Sequence, residues 1–151
     1  MKRTILIVLS VFAVYFAPIH SQNIPSEGKI YLVCNALTTS YTYAQLRGDL
    51  AGCLSEAGYT MVYDANEADW TIQVNGITGK KQESTIASKT WYFTEVTATI
   101  LIDRGAFDVR IYENNLTEKG AYNTDFDDAA LDAYRRLTPK ICAVIKEQIA
   151  K

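Results

Sequence analysis

The chain has 151 residues, 15 basic and 17 acidic, with a formal charge of −2 and one histidine. That length holds one hydrophobic core and is short for two. Its mild acidity gives no electrostatic footprint for nucleic acid or for an anionic membrane surface.

The amino terminus reads as an export signal. Met1, Lys2 and Arg3 are a basic start, Ile5 to Ala17 is apolar except for Ser10, and Pro18, Ile19, His20 and Ser21 close the run. That order predicts a cleavable secretory signal over residues 1–21. The apolar run is about 13 residues against the ~20 that cross a bilayer, so no membrane anchor is expected. The first cysteine is Cys34, well past the apolar run, so no lipid attachment is expected either. The implied location is periplasmic or secreted.

Cleavage after Ser21 would remove Lys2, Arg3 and no acid. It leaves 13 basic against 17 acidic residues, a charge of −4 over 130 residues. His20, the only histidine, leaves with the signal. The remainder has no imidazole to serve as general base or metal ligand, and no metal or cofactor is expected.

Residues 22–28 read as a flexible leader, and residues 29–151 as a single domain. Lys29 to Asn35 alternates Ile30, Leu32 and Cys34 against Tyr31 and Val33, as a strand does. Thr38, Thr39, Ser40 and Thr42 offer caps for a helix whose apolar face is Tyr43, Leu46, Leu50, Cys53, Leu54 and Ala57, with Gly58 as its stop. Gly48 and Gly52, four apart inside that helix, suggest a second backbone packed close against it.

Tyr59 to Asp64 and Trp70 to Ile77 read as the next two strands. The polar stretch Thr78 to Lys89 reads as a long loop, Thr90 to Ile102 as a fourth strand, Phe107 to Glu113 as a fifth, and Asn114 to Thr124 as loop. A final helix runs from about Phe126 to Ala150, capped by Thr124 or Asp125, and Pro139 should kink or break it near Thr138. The order β-α-β-β-β-β-α predicts an α+β two-layer sandwich: a mostly antiparallel five-stranded sheet with both helices on one face.

Chemistry is sparse. Asp125, Asp127, Asp128 and Asp132 cluster at the start of the last helix, where acids also favour the helix dipole. Cys34, Cys53 and Cys142 allow at most one internal bridge. Cys53–Cys142, between helices, is the preferred pairing, because Cys53 sits far along its helix from Cys34. Three buried thiols are the alternative. Asn115-Leu116-Thr117 matches a glycosylation acceptor, relevant only in a eukaryotic route.

The strongest candidate surface is the sheet face away from the helices. If Tyr92, Val96, Ala98, Ile100 and Ile102 face the helices, then Trp91, Phe93, Thr97, Thr99 and Leu101 face away. Tyr31, Gln73, Asp108, Arg110 and Tyr112 are expected beside them. Aromatic side chains on an open face are a platform for a partner.

Three segments together carry a likeness. Ala68-Asp69-Trp70-Thr71-Ile72 opens a strand, Thr97-Ala98-Thr99-Ile100-Leu101-Ile102-Asp103 closes on Gly105, and Asp128-Ala129-Ala130-Leu131-Asp132-Ala133 begins the terminal helix. Over roughly residues 29–149 this resembles the small α/β domains of bacterial envelope proteins. These are the curli-secretion protein CsgG, the LpoB-type activators of penicillin-binding proteins, and the amino-terminal domain of TolB. The resemblance implies a non-enzymatic docking or assembly part with no catalytic residues. The chain departs from CsgG and LpoB in lacking an acylatable cysteine after its signal, and it is too short for the pore-forming segments of CsgG.

The expected function is therefore an exported accessory domain that docks a protein or an envelope polymer, a second copy among the candidates. The competing expectation is a secreted hydrolase using Asp125 and Asp128, or the thiol of Cys34.

Overall fold

The structure, a computed structural model, describes residues 28–36, 43–106 and 109–151. The expected signal, nearly all of the leader, the caps Thr38, Thr39, Ser40 and Thr42, and Phe107 and Asp108 lie outside the described residues.

The elements follow the expected order: β1 (Lys29–Ala36), α1 (Tyr43–Glu56), β2 (Thr60–Val62), β3 (Trp70–Ile86), β4 (Lys89–Arg104), β5 (Val109–Tyr122) and α2 (Phe126–Ile149). One open sheet is formed in the order β2-β1-β3-β4-β5. β1 pairs parallel with both β2 and β3, and the two hairpins β3-β4 and β4-β5 are antiparallel. Ile30, Leu32, Ile72, Val74 and the alternate β4 residues Val96 to Ile102 face inward. They form one core with Leu46, Leu50 and Leu54 of α1 and with Ala133, Leu137, Ile141 and Ile145 of α2. Both helices therefore lie on one sheet face.

Local chemistry sets the ends of the helices. Gly58, at φ 93°, takes the left-handed conformation that ends α1, and Tyr59 N–H bonds back to the Leu54 carbonyl. Asp125 caps α2, its carboxylate accepting from the Asp128 N–H at 2.8 Å. The bridge Cys53–Cys142 joins the two helices across a Cα separation of 6.5 Å.

Four expectations need correction. Thr78 to Lys89 is strand, not loop: β3 and β4 continue to a two-residue turn at Ala87 (φ 50°) and Ser88 (φ 63°). Asn114 to Tyr122 is likewise strand, the outer part of β5. The β3 segment lacks an apolar alternation because little covers either of its faces, and in the β5 segment α2 lies so close over one face that Gly120 stands in place of an apolar side chain. The break allowed for at Pro139 does not occur: α2 continues through it to Ile149, with the proline side chain exposed. An exposed site lets the carbonyl freed by the missing N–H turn toward water. Finally, Gly48 and Gly52 touch no close backbone among the described residues: a methyl at either position would meet none of them within 4 Å.

Glycine is required elsewhere. A methyl on Gly120 of β5 would overlap the Ala129 carbonyl oxygen and lie 2.6 Å from the Ala133 nitrogen, so α2 rests almost directly on that strand.

Candidate functional site

The outer face of the sheet is a ladder of cross-strand rows. Asn35, Asn75, Thr99 and Asn115 form one row, with Asn35 donating to Asn75 at 2.8 Å and Thr99 donating to Asn115 at 2.7 Å. The acceptor triplet is thus held within β5. In the next row the Thr97 and Thr117 hydroxyls lie 2.9 Å apart. Val33, Gln73, Leu101 and Glu113 make a row on the other side, followed by Tyr31, Thr71, Asp103 and Arg110. Both helices lie on the opposite face, so no helix of the described residues covers this one.

Tyr31, Gln73, Trp91 and Phe93 occupy this face as expected, each half-buried. Arg110 does too, but much of it is engaged. Its guanidinium bonds to Asp103, whose side chain is 3% exposed against 41% for Arg110, and reaches Glu113 at 3.2 Å. That pairing with Asp103 raises the arginine pKa further above its ordinary value.

Tyr112 is a correction. It pairs with the core residue Ile102 and packs against the core from the helix side. A one-residue register shift between Ile102 and Asp103 lets Arg110 stay outward while Tyr112 turns in.

The candidate residues do not form one patch. Phe93 lies eight residues along β4 from Leu101, the partner of Gln73, which is roughly 27 Å of strand. Tyr31, Gln73 and Arg110 stand at one end over hydrogen-bonded polar rows. Trp91 and Phe93 stand at the other, with Ile77 and Ile86 exposed beside them on β3. Beside Phe93 is a hollow of about 50 Å³ lined by Lys80, Gln82, Glu95 and Lys119. That is room for water rather than for a drug-sized ligand.

A second concavity was not legible in the sequence, because its residues come from separate elements. It opens between α1 and the ends of β1 and β2, holds about 480 Å³, and is lined by Leu32, Tyr43, Arg47, Met61 and Tyr63 among others. Arg47 Nε donates to the Leu32 carbonyl at 3.1 Å, and its guanidinium stands 5.2 Å from the Tyr63 ring centre. β2 ends at Val62, so Arg47 satisfies a β1 carbonyl that a longer β2 would have taken.

Two of the hydrolase candidates, Asp125 and Cys34, are engaged or buried. Asp125 caps α2, and Asp132 accepts from the Ala121 N–H at 3.1 Å and from Arg136 at 2.7 Å. Cys34 is buried in β1, and burial pushes its thiol pKa up to about 12, with the charge of Arg47 acting weakly the other way. A thiol so placed supplies little thiolate near neutrality. Among the described residues, no group of acids, cysteines or histidines is arranged to hold a metal ion, and no helix is long and apolar enough to cross a membrane.

No protein-family model matches the chain, and no curated protein matches it. Solved structures do. A minor lipoprotein from Acinetobacter baumannii is 20% identical, with a TM-score of 0.50, over 77% of this chain and 91% of that one. A hypothetical protein from Chlamydia trachomatis is 9% identical, with a TM-score of 0.50, over 82% and 98%. The rare lipoprotein B from Shewanella oneidensis is 10% identical, with a TM-score of 0.43, over 81% and 91%. At these identities the first two likenesses show a shared fold, one used by a bacterial lipoprotein.

Proposed function

We propose that this chain is an exported, non-enzymatic accessory domain of the bacterial envelope that docks a protein partner through the outer face of its sheet. The observation that carries the reading is the outer face of the β3-β4 arm, where half-buried Trp91 and Phe93 share the face with exposed Ile77 and Ile86 and no helix of the described residues lies over them. Soluble domains seldom leave clustered large side chains bare without a partner to cover them. The shared fold with a bacterial lipoprotein supports an envelope setting, and the basic and apolar opening of the chain supports export. Because Cys34 is buried within β1, it is poorly placed to accept a lipid, which favours a secreted or periplasmic protein over an anchored one. The remaining end of the face is knit by its own hydrogen bonds and is the weaker docking surface.

A photo-cross-linking residue placed at Thr97 in the full chain, expressed in a bacterial envelope, tests this. The expected result is capture of one discrete envelope protein, lost when Trp91→Ala and Phe93→Ala are combined. Capture of the same protein from a probe at Arg136, on α2, with equal yield would overturn the docking face. So would absence of any capture at Thr97.

A further inference from the structure

β3 is paired on both sides only as far as Gly76, where β1 stops at Ala36. Beyond that point it continues to Ile86 with β4 on one side. From Lys81 to Ile86 the opposite edge meets no strand among the described residues. Such an edge is a template for strand addition. Two features restrict what can pair with it: a bulge between Thr78 and Lys81, and the charges of Lys80, Lys81 and Glu83.

We infer that the edge is matched to a second copy of itself, paired antiparallel about a two-fold axis through Gln82. The existing ladder supplies the register. Gln82 lies opposite Phe93, while Lys81 lies opposite Thr94 and Glu83 opposite Tyr92, one step away on either side. Ile77 lies opposite Thr97 and Ile86 opposite Lys89, each four steps from Phe93. Rotating the strand about Gln82 therefore sets Lys81 against the second copy's Glu83, and Glu83 against its Lys81. It sets the bulge residues Gly79 and Lys80 against Ser84, and Ile77 against Ile86.

Ile77 stands five residues before Gln82 and Ile86 only four after it. The extra residue in the bulge makes the two halves equal in length. The match is thus one of register as well as of charge. Opposite charges directly across an antiparallel pair attract, whereas like charges repel.

The two isoleucines are each 52% exposed in the single chain and share the outer face, so the pairing places apolar against apolar at both ends. An axis perpendicular to the sheet keeps both copies' helices on one side and joins the two sheets into one. The second copy's strand lies beside Lys81 to Ile86, where β3 meets no other strand of the described residues. This is an isologous contact, the commonest form of closed dimer. It shares Ile77 and Ile86 with the docking face but is set by the strand edge, so it stands without Trp91 or Phe93.

Sedimentation of the full chain over a range of concentrations, with its bridge intact, tests the pairing. The expected result is a concentration-dependent dimer. Glu83→Lys should weaken it at least tenfold by setting lysine against Lys81, and adding Lys81→Glu should restore it. Because Gln82 meets its own copy at the axis, Q82C should cross-link into a dimer under mild oxidation, whereas a cysteine at exposed Lys119 should not. A chain that stays monomeric and does not cross-link through Q82C would overturn the inference. A dimer indifferent to Glu83→Lys would do the same. If Glu83→Lys does not fold, the Q82C result decides alone. Loss of partner capture on changing Trp91 and Phe93, with the dimer intact, would leave this inference standing.

Discussion

At the scale of single residues, glycine changes meaning with its surroundings. Gly120 is where the backbones of β5 and α2 nearly touch, and the nearest atoms are main-chain atoms of Ala129 and Ala133, which have no rotamer to escape into. Gly120→Ala should therefore destabilise the fold by about 2 kcal/mol through overpacking, read as a lower urea midpoint. A drop of less than a few tenths of that size would mean that α2 lifts freely from the sheet. Asp103 illustrates another local dependence, since its buried carboxylate relies on Arg110 for most of its company. Neither fact is visible in composition. Gly120 sits in a stretch with no apolar alternation, and Asp103 looks like any acid before a turn.

Among the elements, α1 shows that an unusual sequence need not serve a contact. Its two interior glycines have open space around them, and they cost helix propensity without any return that the described residues show. Replacing Gly48 and Gly52 together by alanine should raise stability by about 1–2 kcal/mol, seen as a higher thermal midpoint with an unchanged circular dichroism spectrum. A fall would mean that α1 needs the missing side chains for close approach after all. The same contrast explains which elements could be read in advance. β1, the first half of β3 and α2 each bury one face, and burial is what writes a period into a sequence. The β3-β4 arm is little covered on either face, and the far half of β5 lies so close under α2 that a glycine replaces an apolar side chain, so the alternation is erased in both and they pass for loops. The face of Tyr112 was unreadable for a different reason: one inserted residue reverses every later side chain.

For the molecule as a whole, the sheet and both helices share one core, and the bridge Cys53–Cys142 fastens α1 to α2 across a separation of 89 residues. Closing so long a loop removes much of the freedom of the unfolded chain. Reduction, or Cys53→Ser with Cys142→Ser, should cost about 3 kcal/mol. Denaturant unfolding of oxidised and reduced protein measures this, and equal midpoints would mean that the helices are held by packing alone. This bridge is legible in the sequence, because helical spacing puts Cys53 and Cys142 on separate helices. The strand order could not be foreseen, because nothing local in β1 says that it will stand between two parallel neighbours.

Cys34 sits in the middle strand of that three-stranded parallel group, with its sulfur inside the core. Three thiols permit three single-bridge isomers, and two of them need this one. Once β1 takes its place between β2 and β3, both wrong isomers become incompatible with a completed sheet, while the right one stays available on the helices. In an oxidising medium the sheet thereby acts as an editor of covalent chemistry. A chain bridged through Cys34 could not complete this sheet and would keep a thiol free for exchange, whereas the Cys53–Cys142 isomer buries Cys34 in the core.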